Sequence, residues 1–439
     1  MGRFLFVGGL ACLVLGLVAL PALADDDAGL RQEVQKLRQE VQVMQASMLE
    51  KEIDAYLSEN QAWQGAQGGD ALGGITIHAS FTSVGQGTVG QSSPAQDIFA
   101  LDGDVDLQFD FQVTDNLDLF IHMTANNGGS GSFPNTFGQT GVSLPFNPFG
   151  PGTSVPTFAG FTDGIGVNGT VPTDPGEVAM YEAGIRSSVN VGDNKLNWEM
   201  GAIDPRTRFL QNRFADDENT QFVDNEFDDS SAVMWLTDAS GRVSLGWHGW
   251  ISFGDNQQFT VNVGYFNTPG QYFNAGQLYA QISWKGEVNG REMNVHVMGW
   301  YQEFFQSALD SDETGFGVSW DWMVTENIGA FFRAAYNNAD INPIDYDITG
   351  GVVFMNLIAS RPDDVVGVAI ADVHANNTVL VGVPETNEYH VEVYYRFMAE
   401  DGKLQITPNI IWVNNPGGGT PPFADDTLFI IGLRVHVPF

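Results

Sequence analysis

The chain has a single cysteine in 439 residues, Cys12, and it lies inside the apolar stretch 4–20. One thiol cannot build a disulfide framework. Positive charge is scarce too: 18 Lys and Arg stand against 54 Asp and Glu, a formal charge of −36. That balance excludes a nucleic-acid partner, whose phosphates call for a basic surface. Beyond residue 24 no apolar run approaches the ~18 residues that a membrane-spanning helix needs. The seven histidines are scattered, with no pair at the i, i+4 spacing of a zinc site. Gly128-Gly-Ser-Gly131 lacks the strand-then-helix frame and the lysine of a phosphate loop, and there is no nucleophile elbow. Asp102, Asp104 and Asp106 have the first spacings of a calcium loop, but Leu107 stands where that loop needs glycine. The sequence therefore predicts no catalytic residue, no metal and no cofactor.

What is present begins with an export signal. Arg3 gives a basic start, residues 4–20 an apolar stretch, and Ala22-Leu-Ala24 a small-residue cleavage site, so residues 1–24 read as a signal peptide. Residues 25–60 read as a periplasmic coiled-coil segment, its helix running from 29 to about 57. Leu30, Val34, Leu37, Val41, Met44 and Met48 alternate at spacings of four and three, the a/d seam of a coiled coil. Residues 61–74 form a Gly/Gln-rich linker.

From residue 75 to 439 the period is two. Val105, Leu107, Phe109, Phe111 and Val113 alternate with Asp104, Asp106, Gln108, Asp110 and Gln112. The chain ends in the same pattern, with Phe429, Ile431, Leu433, Val435 and Val437 on one face and Gly432, Arg434 and His436 on the other. Successive side chains of a strand point to opposite faces, so each strand has an apolar and a more polar side. Without a spanning helix, a membrane protein must pair all its backbone groups in a closed barrel. The expected fold is all-β: a transmembrane antiparallel barrel of about sixteen strands, with short turns such as Thr114-Asp-Asn116 on the periplasmic side and long loops outside. Trp247, Trp284, Trp322, Tyr395 and Trp412 suit interfacial girdles. The longest irregular segment, 126–177, carries six phenylalanines and reads as an external loop folded into the barrel mouth or packed on a neighbouring subunit.

Four stretches resemble the OprB-like carbohydrate-selective porins. They are 195–229, with Ala202-Ile-Asp204, Phe209, Asn212, Phe214-Ala-Asp216 and Thr220-Gln-Phe222; 328–340, with Arg333; Arg361-Pro-Asp-Asp-Val-Val-Gly367; and the final block from Glu388 through Arg396, Pro408 and Asn414-Asn-Pro416 to Arg434. The resemblance implies a sixteen-stranded outer-membrane barrel that passes small sugars by diffusion. A general cation-preferring channel for ions and nutrients, and a structural outer-membrane anchor, are the other readings. Outer-membrane lipid and two further copies of the chain, in a homotrimer, are the expected partners.

Alternation places Glu182, Arg186, Arg333, Glu392, Tyr394 and Arg396 toward the lumen as pore-lining or constriction candidates. Opposed acids and bases there would orient a dipolar solute, or else form a solvated wall of satisfied pairs. Asp104, Asp106 and Asp110 form an acidic luminal row that would favour cations.

Overall fold

In the computed structural model the described residues are 75–89, 99–126, 178–192, 194–217, 219–228, 230, 232–233, 244–254, 257–267, 276–306, 309–338, 344–375, 386–415 and 427–439. The signal peptide, coiled coil and linker expected at 1–74 lie outside them, as does the long loop from residue 127 to 177.

Sixteen strands form one closed antiparallel barrel in which each pairs with its sequence neighbours. The first eight are β1 (Ile75–Val89), β2 (Phe99–Thr114), β3 (Leu117–Asn126), β4 (Val178–Val191), β5 (Asn194–Ile203), β6 (Ser244–Phe253), β7 (Phe259–Asn267) and β8 (Gly276–Val288). The others are β9 (Arg291–Gln306), β10 (Leu309–Met323), β11 (Ile328–Asn337), β12 (Ile344–Met355), β13 (Val365–Ala375), β14 (Thr386–Ala399), β15 (Leu404–Asn414) and β16 (Thr427–Pro438). Closure comes from β1 pairing with β16, Thr82 opposite His436 and Val89 opposite Phe429. The last residue completes the seam: the Phe439 N–H donates to the Ala79 carbonyl at 2.8 Å. With no edge strand, every strand has its backbone groups paired on both sides.

The turns at one end follow from local chemistry. Asn289 and Gly290 both have positive φ, 55° and 69°, as a two-residue hairpin between β8 and β9 requires. At Thr114-Asp-Asn116 and Thr325-Glu-Asn327 the threonine hydroxyl accepts the N–H two residues on, at 3.3 and 3.2 Å.

Polarity is inverted relative to a water-soluble fold. Ile370, Phe316 and Ile282 are about three-fifths exposed on the outer face, at 62%, 61% and 59%. Glu199, Glu313, Arg333, Glu392 and Arg434 are buried on the inner face. The five aromatics expected at the girdles lie on the outer face of their strands, as their register parity dictates. An apolar exterior over a charged interior suits hydrocarbon outside and water within.

Candidate functional site: the luminal wall and its inner loop

The connection between β5 and β6 folds into the barrel. Its described residues within 204–233 start with the single turn Pro205–Thr207, capped by the Asp204 carboxylate accepting the Arg206 N–H at 2.9 Å. One turn of α-helix follows at Asn225–Asp228. Four phenylalanines of this loop, Phe209, Phe214, Phe222 and Phe227, are buried against the inner wall. Phe209 stacks on Tyr279 of β8 with centroids 5.0 Å apart, and Phe222 meets Tyr394 of β14 edge-on at 4.9 Å. Two apolar clusters result, one around Phe209 and Leu210 and one around Phe214, Phe222 and Phe227. Both are drawn from loop and wall together, so each ring is removed from water on both sides, worth roughly 1.5–3 kcal/mol per side chain.

The wall also supplies the hydrogen bonds that an irregular backbone lacks. On β14, Glu392 accepts the Val223 N–H at 3.0 Å and the Asp224 N–H at 2.9 Å. His390 Nδ1 lies 2.7 Å from the Asp224 carboxylate, and its Nε2 lies 2.7 Å from Glu388. On β11, Arg333 donates to the Ala215 carbonyl and the Asp216 carboxylate, each at 2.8 Å, and to the Asp228 carbonyl at 3.0 Å. On β12, Asp347 accepts the Ser230 hydroxyl at 2.7 Å and the Ala232 N–H at 3.0 Å. Gln281 of β8 accepts the Leu210 N–H at 2.8 Å, and Asn212 donates to Ser319 of β10 at 3.1 Å. Side chains of β8, β10, β11, β12 and β14 thus all hold this loop.

This arrangement gives the sequence candidates their positions. Arg333, Glu392 and Tyr394 face the lumen and are 2%, 0% and 2% exposed, beneath the loop that they hold. Arg396 is partly exposed and donates to the Thr220 carbonyl at 2.7 Å. Glu182 is buried and accepts the Asp204 N–H at 2.7 Å. Arg186 remains partly exposed, bound to Asp110, 3.7 Å from Asp118 and over the Phe120 ring. Asp106 lies 3.6 Å from His122. Position 104 is on the same face of β2 as 106 and 110, with its side chain outside the described residues.

The sequence marks 195–229 by family resemblance only as a strand followed by an Asn- and Phe-marked loop; that the loop folds inward, and that His390, Asp347, Asn337 and Gln281 on the wall anchor it, does not follow from the sequence alone. A signal was present. Four phenylalanines among Asp and Asn over some twenty residues are as unsuited to a free loop as the six of 126–177.

Several luminal arginines are paired with acids. Arg208 bridges Glu199 at 2.6 Å and Glu182 at 3.5 Å; Arg206 pairs with Asp204 at 2.5 Å. Arg213 pairs with Glu292 at 2.9 Å and Asp321 at 3.4 Å. The partly exposed members of these pairs, Arg186, Arg206, Arg208 and Arg213 with Asp106 and Asp110, lie on β2, β4 and the loop. They present neighbouring donors and acceptors to anything passing between.

A closed sixteen-stranded barrel with the β5–β6 connection folded inside is a porin-type barrel. The family model for the carbohydrate-selective porins, OprB family, matches residues 294–439. No curated protein sequence matches the chain. Among solved structures, the high-pH structure of OprB from Pseudomonas putida is similar with a TM-score of 0.67 at 16% identity, over 86% of this chain and 97% of that one. The low-pH structure of the same protein gives 0.53 at 13% identity, over 86% and 96%. The outer-membrane channel DcaP of Acinetobacter baumannii gives 0.51 at 12% identity, over 84% and 99%. At such identities the likeness to these structures is one of fold.

Proposed function

We propose that this protein is an outer-membrane channel, not an enzyme, through which small hydrophilic solutes diffuse passively, and that its solutes are chiefly uncharged sugars. The observation that carries this reading is the pairing of luminal charge. A lumen built to attract cations would leave its carboxylates unopposed, whereas Asp110 is held by Arg186 and Asp106 has His122 beside it. Closely paired charges cancel at a distance and act only at hydrogen-bonding range. They favour a solute rich in hydroxyls, which accepts from an arginine and donates to a carboxylate at once. The family match at 294–439 supports the same substrate class.

A homotrimer, export by the 1–24 signal, and a coiled coil over 25–60 that braces the trimer below the membrane complete the reading. Swelling of proteoliposomes in sugars of graded size, with reversal potentials in a salt gradient, tests it. Uptake of mono- and disaccharides with weak ion selectivity is the expected result. Strong cation selectivity without sugar uptake would favour the ion-channel reading, and no permeation of any solute would favour a structural anchor.

A further inference from the structure

The inner face carries aromatic residues that are almost all sealed. Phe120, Phe266, Tyr279, Trp300, Phe331 and Tyr394 point into the barrel, and each is 4% exposed or less. Trp250 of β6 differs. It faces the lumen at the parity of His248, yet it is only half-buried. The other described tryptophans, Trp300 apart, belong to the outer face, so Trp250 is the luminal indole that solvent reaches among the described residues.

Its setting is built rather than incidental. The Trp250 ring stacks on the His248 imidazole, centroids 4.8 Å apart and planes at 16°. His248 is fixed in turn by the Glu199 carboxylate at 2.9 Å and by the edge of Phe209 at 5.2 Å. Arg208 of the inner loop clamps that same carboxylate at 2.6 Å. A pillar therefore runs from the loop through His248 to Trp250. His248 covers one face of the indole and the ring as a whole stays partly exposed; the next inward residue along the strand is the small Ser252. The strands on either side place amides at the same level, Asn197 of β5 opposite Trp250 on one flank and Asn262 of β7 on the other. Asn197 is partly exposed, and its long contact to the Lys195 carbonyl, 3.4 Å, leaves its amide weakly engaged.

The geometry points to Trp250 as a stacking platform for a pyranose ring, on the turn side of the inner loop, with the partly exposed Asn197 reading the equatorial hydroxyls and the buried Asn262, bonded to Ser283, backing the platform. A pyranose has one face of axial C–H bonds and a rim of hydroxyls. An indole face takes the first by dispersion and C–H···π attraction, and carboxamides take the second because each both donates and accepts. Trp250 then sets specificity among solutes of equal size, and it makes sugar permeation saturable where a plain pore would give linear flux. This rests on the proposal that the channel passes sugars.

The test is titration of the open-channel current with maltose and, separately, with the acyclic polyol sorbitol, for the full-length protein and for Trp250→Ala and Trp250→Phe. The wild-type channel is expected to show saturable block by maltose. Trp250→Ala should weaken it roughly tenfold and Trp250→Phe only a few-fold, while sorbitol block is weak and unchanged by either. Sugar affinity that survives Trp250→Ala, or equal effects on maltose and sorbitol, overturns the platform. Proteoliposome swelling in sugar separates this from failure of the channel reading: swelling without Trp250-dependent affinity rejects the platform alone, and absence of swelling rejects the sugar channel itself. Folding of each variant is checked by the heat-dependent gel shift of the barrel; if Trp250→Ala fails to fold, the Phe variant and Asn197→Ala carry the same test.

Discussion

Replacing Arg333 with methionine isolates what the inner loop does. The side chain keeps much of its volume and its apolar stem, but four donated bonds vanish: to Ala215 O and Asp216 Oδ1 at 2.8 Å, Asp228 O at 3.0 Å and Phe227 O at 3.4 Å. The last is too long to weigh much. The other three are bonds from a charged donor, ordinarily ~1.5–3 kcal/mol each. Part of that sum is the cost of having buried the guanidinium, so the net loss is about 3–5 kcal/mol, the range for breaking a buried ion pair. Loss of that size raises the population of loop-released channels by roughly 10²–10⁴-fold. Arg333 supplies no rung of the β11 ladder from its side chain, so the barrel itself should persist. Single-channel recording should then show a second, larger conductance level in Arg333→Met, and Arg333→Lys should fall between, since an ammonium cannot fork across two acceptors. Conductance and noise identical to wild type, in a variant whose barrel is folded, would refute the idea that this arginine holds the loop.

Three other outcomes follow from the same structure. A Cβ at Gly329 would come within 2.3 Å of the Phe214 ring, so Gly329→Ala should unseat that phenylalanine at a cost of about 1–3 kcal/mol and speed proteolysis within 204–233 while sparing the strands. Arg186→Ala frees Asp110 and should shift the reversal potential toward cation preference, with Asp110→Asn restoring the wild-type value in the double variant. In the turn before β13, the Arg361 guanidinium, the Met398 N–H and the Tyr395 hydroxyl hold the Asp364 carboxyl at about 2, against its ordinary 3.8 and against the opposing effect of desolvation. A carboxyl depressed on folding stabilises fully above its unfolded value and is lost as pH falls through the folded one. Amide protection at Met398 should therefore be flat from pH 7 to about 5 and fall between about pH 4 and 2, and Asp364→Asn should abolish that fall.

The barrel wall was legible because hydrocarbon and water swap with every residue along a strand, leaving a period-two imprint from Val105 to Val437 that needs no knowledge of partners. The lumen-facing side of Arg333, Glu392, Tyr394 and Arg396 followed from that parity alone. What parity does not encode is which of those side chains the lumen keeps for solutes. Arg333 and Asp216 are 117 residues apart, and Glu392 and Val223 are 169 apart. Such pairs depend on a loop with no periodicity finding its own acceptors, so parity places Arg333 and Glu392 on the luminal side without showing that they seat the loop. The Phe-rich composition that drew notice at 126–177 was equally present at 209–227. Chain length made the longer segment conspicuous, but burial depends on the wall opposite.

Thiol labelling of the open channel tests the central claim, a loop within a water-filled lumen, most directly. With the one native cysteine at position 12, Asp217→Cys on the inner loop and Ile282→Cys on the outer face are exposed in turn to a charged methanethiosulfonate under recording. A stepwise fall in current at position 217 and none at 282 is the result expected. An unaltered current at 217, or a fall confined to 282, would contradict it.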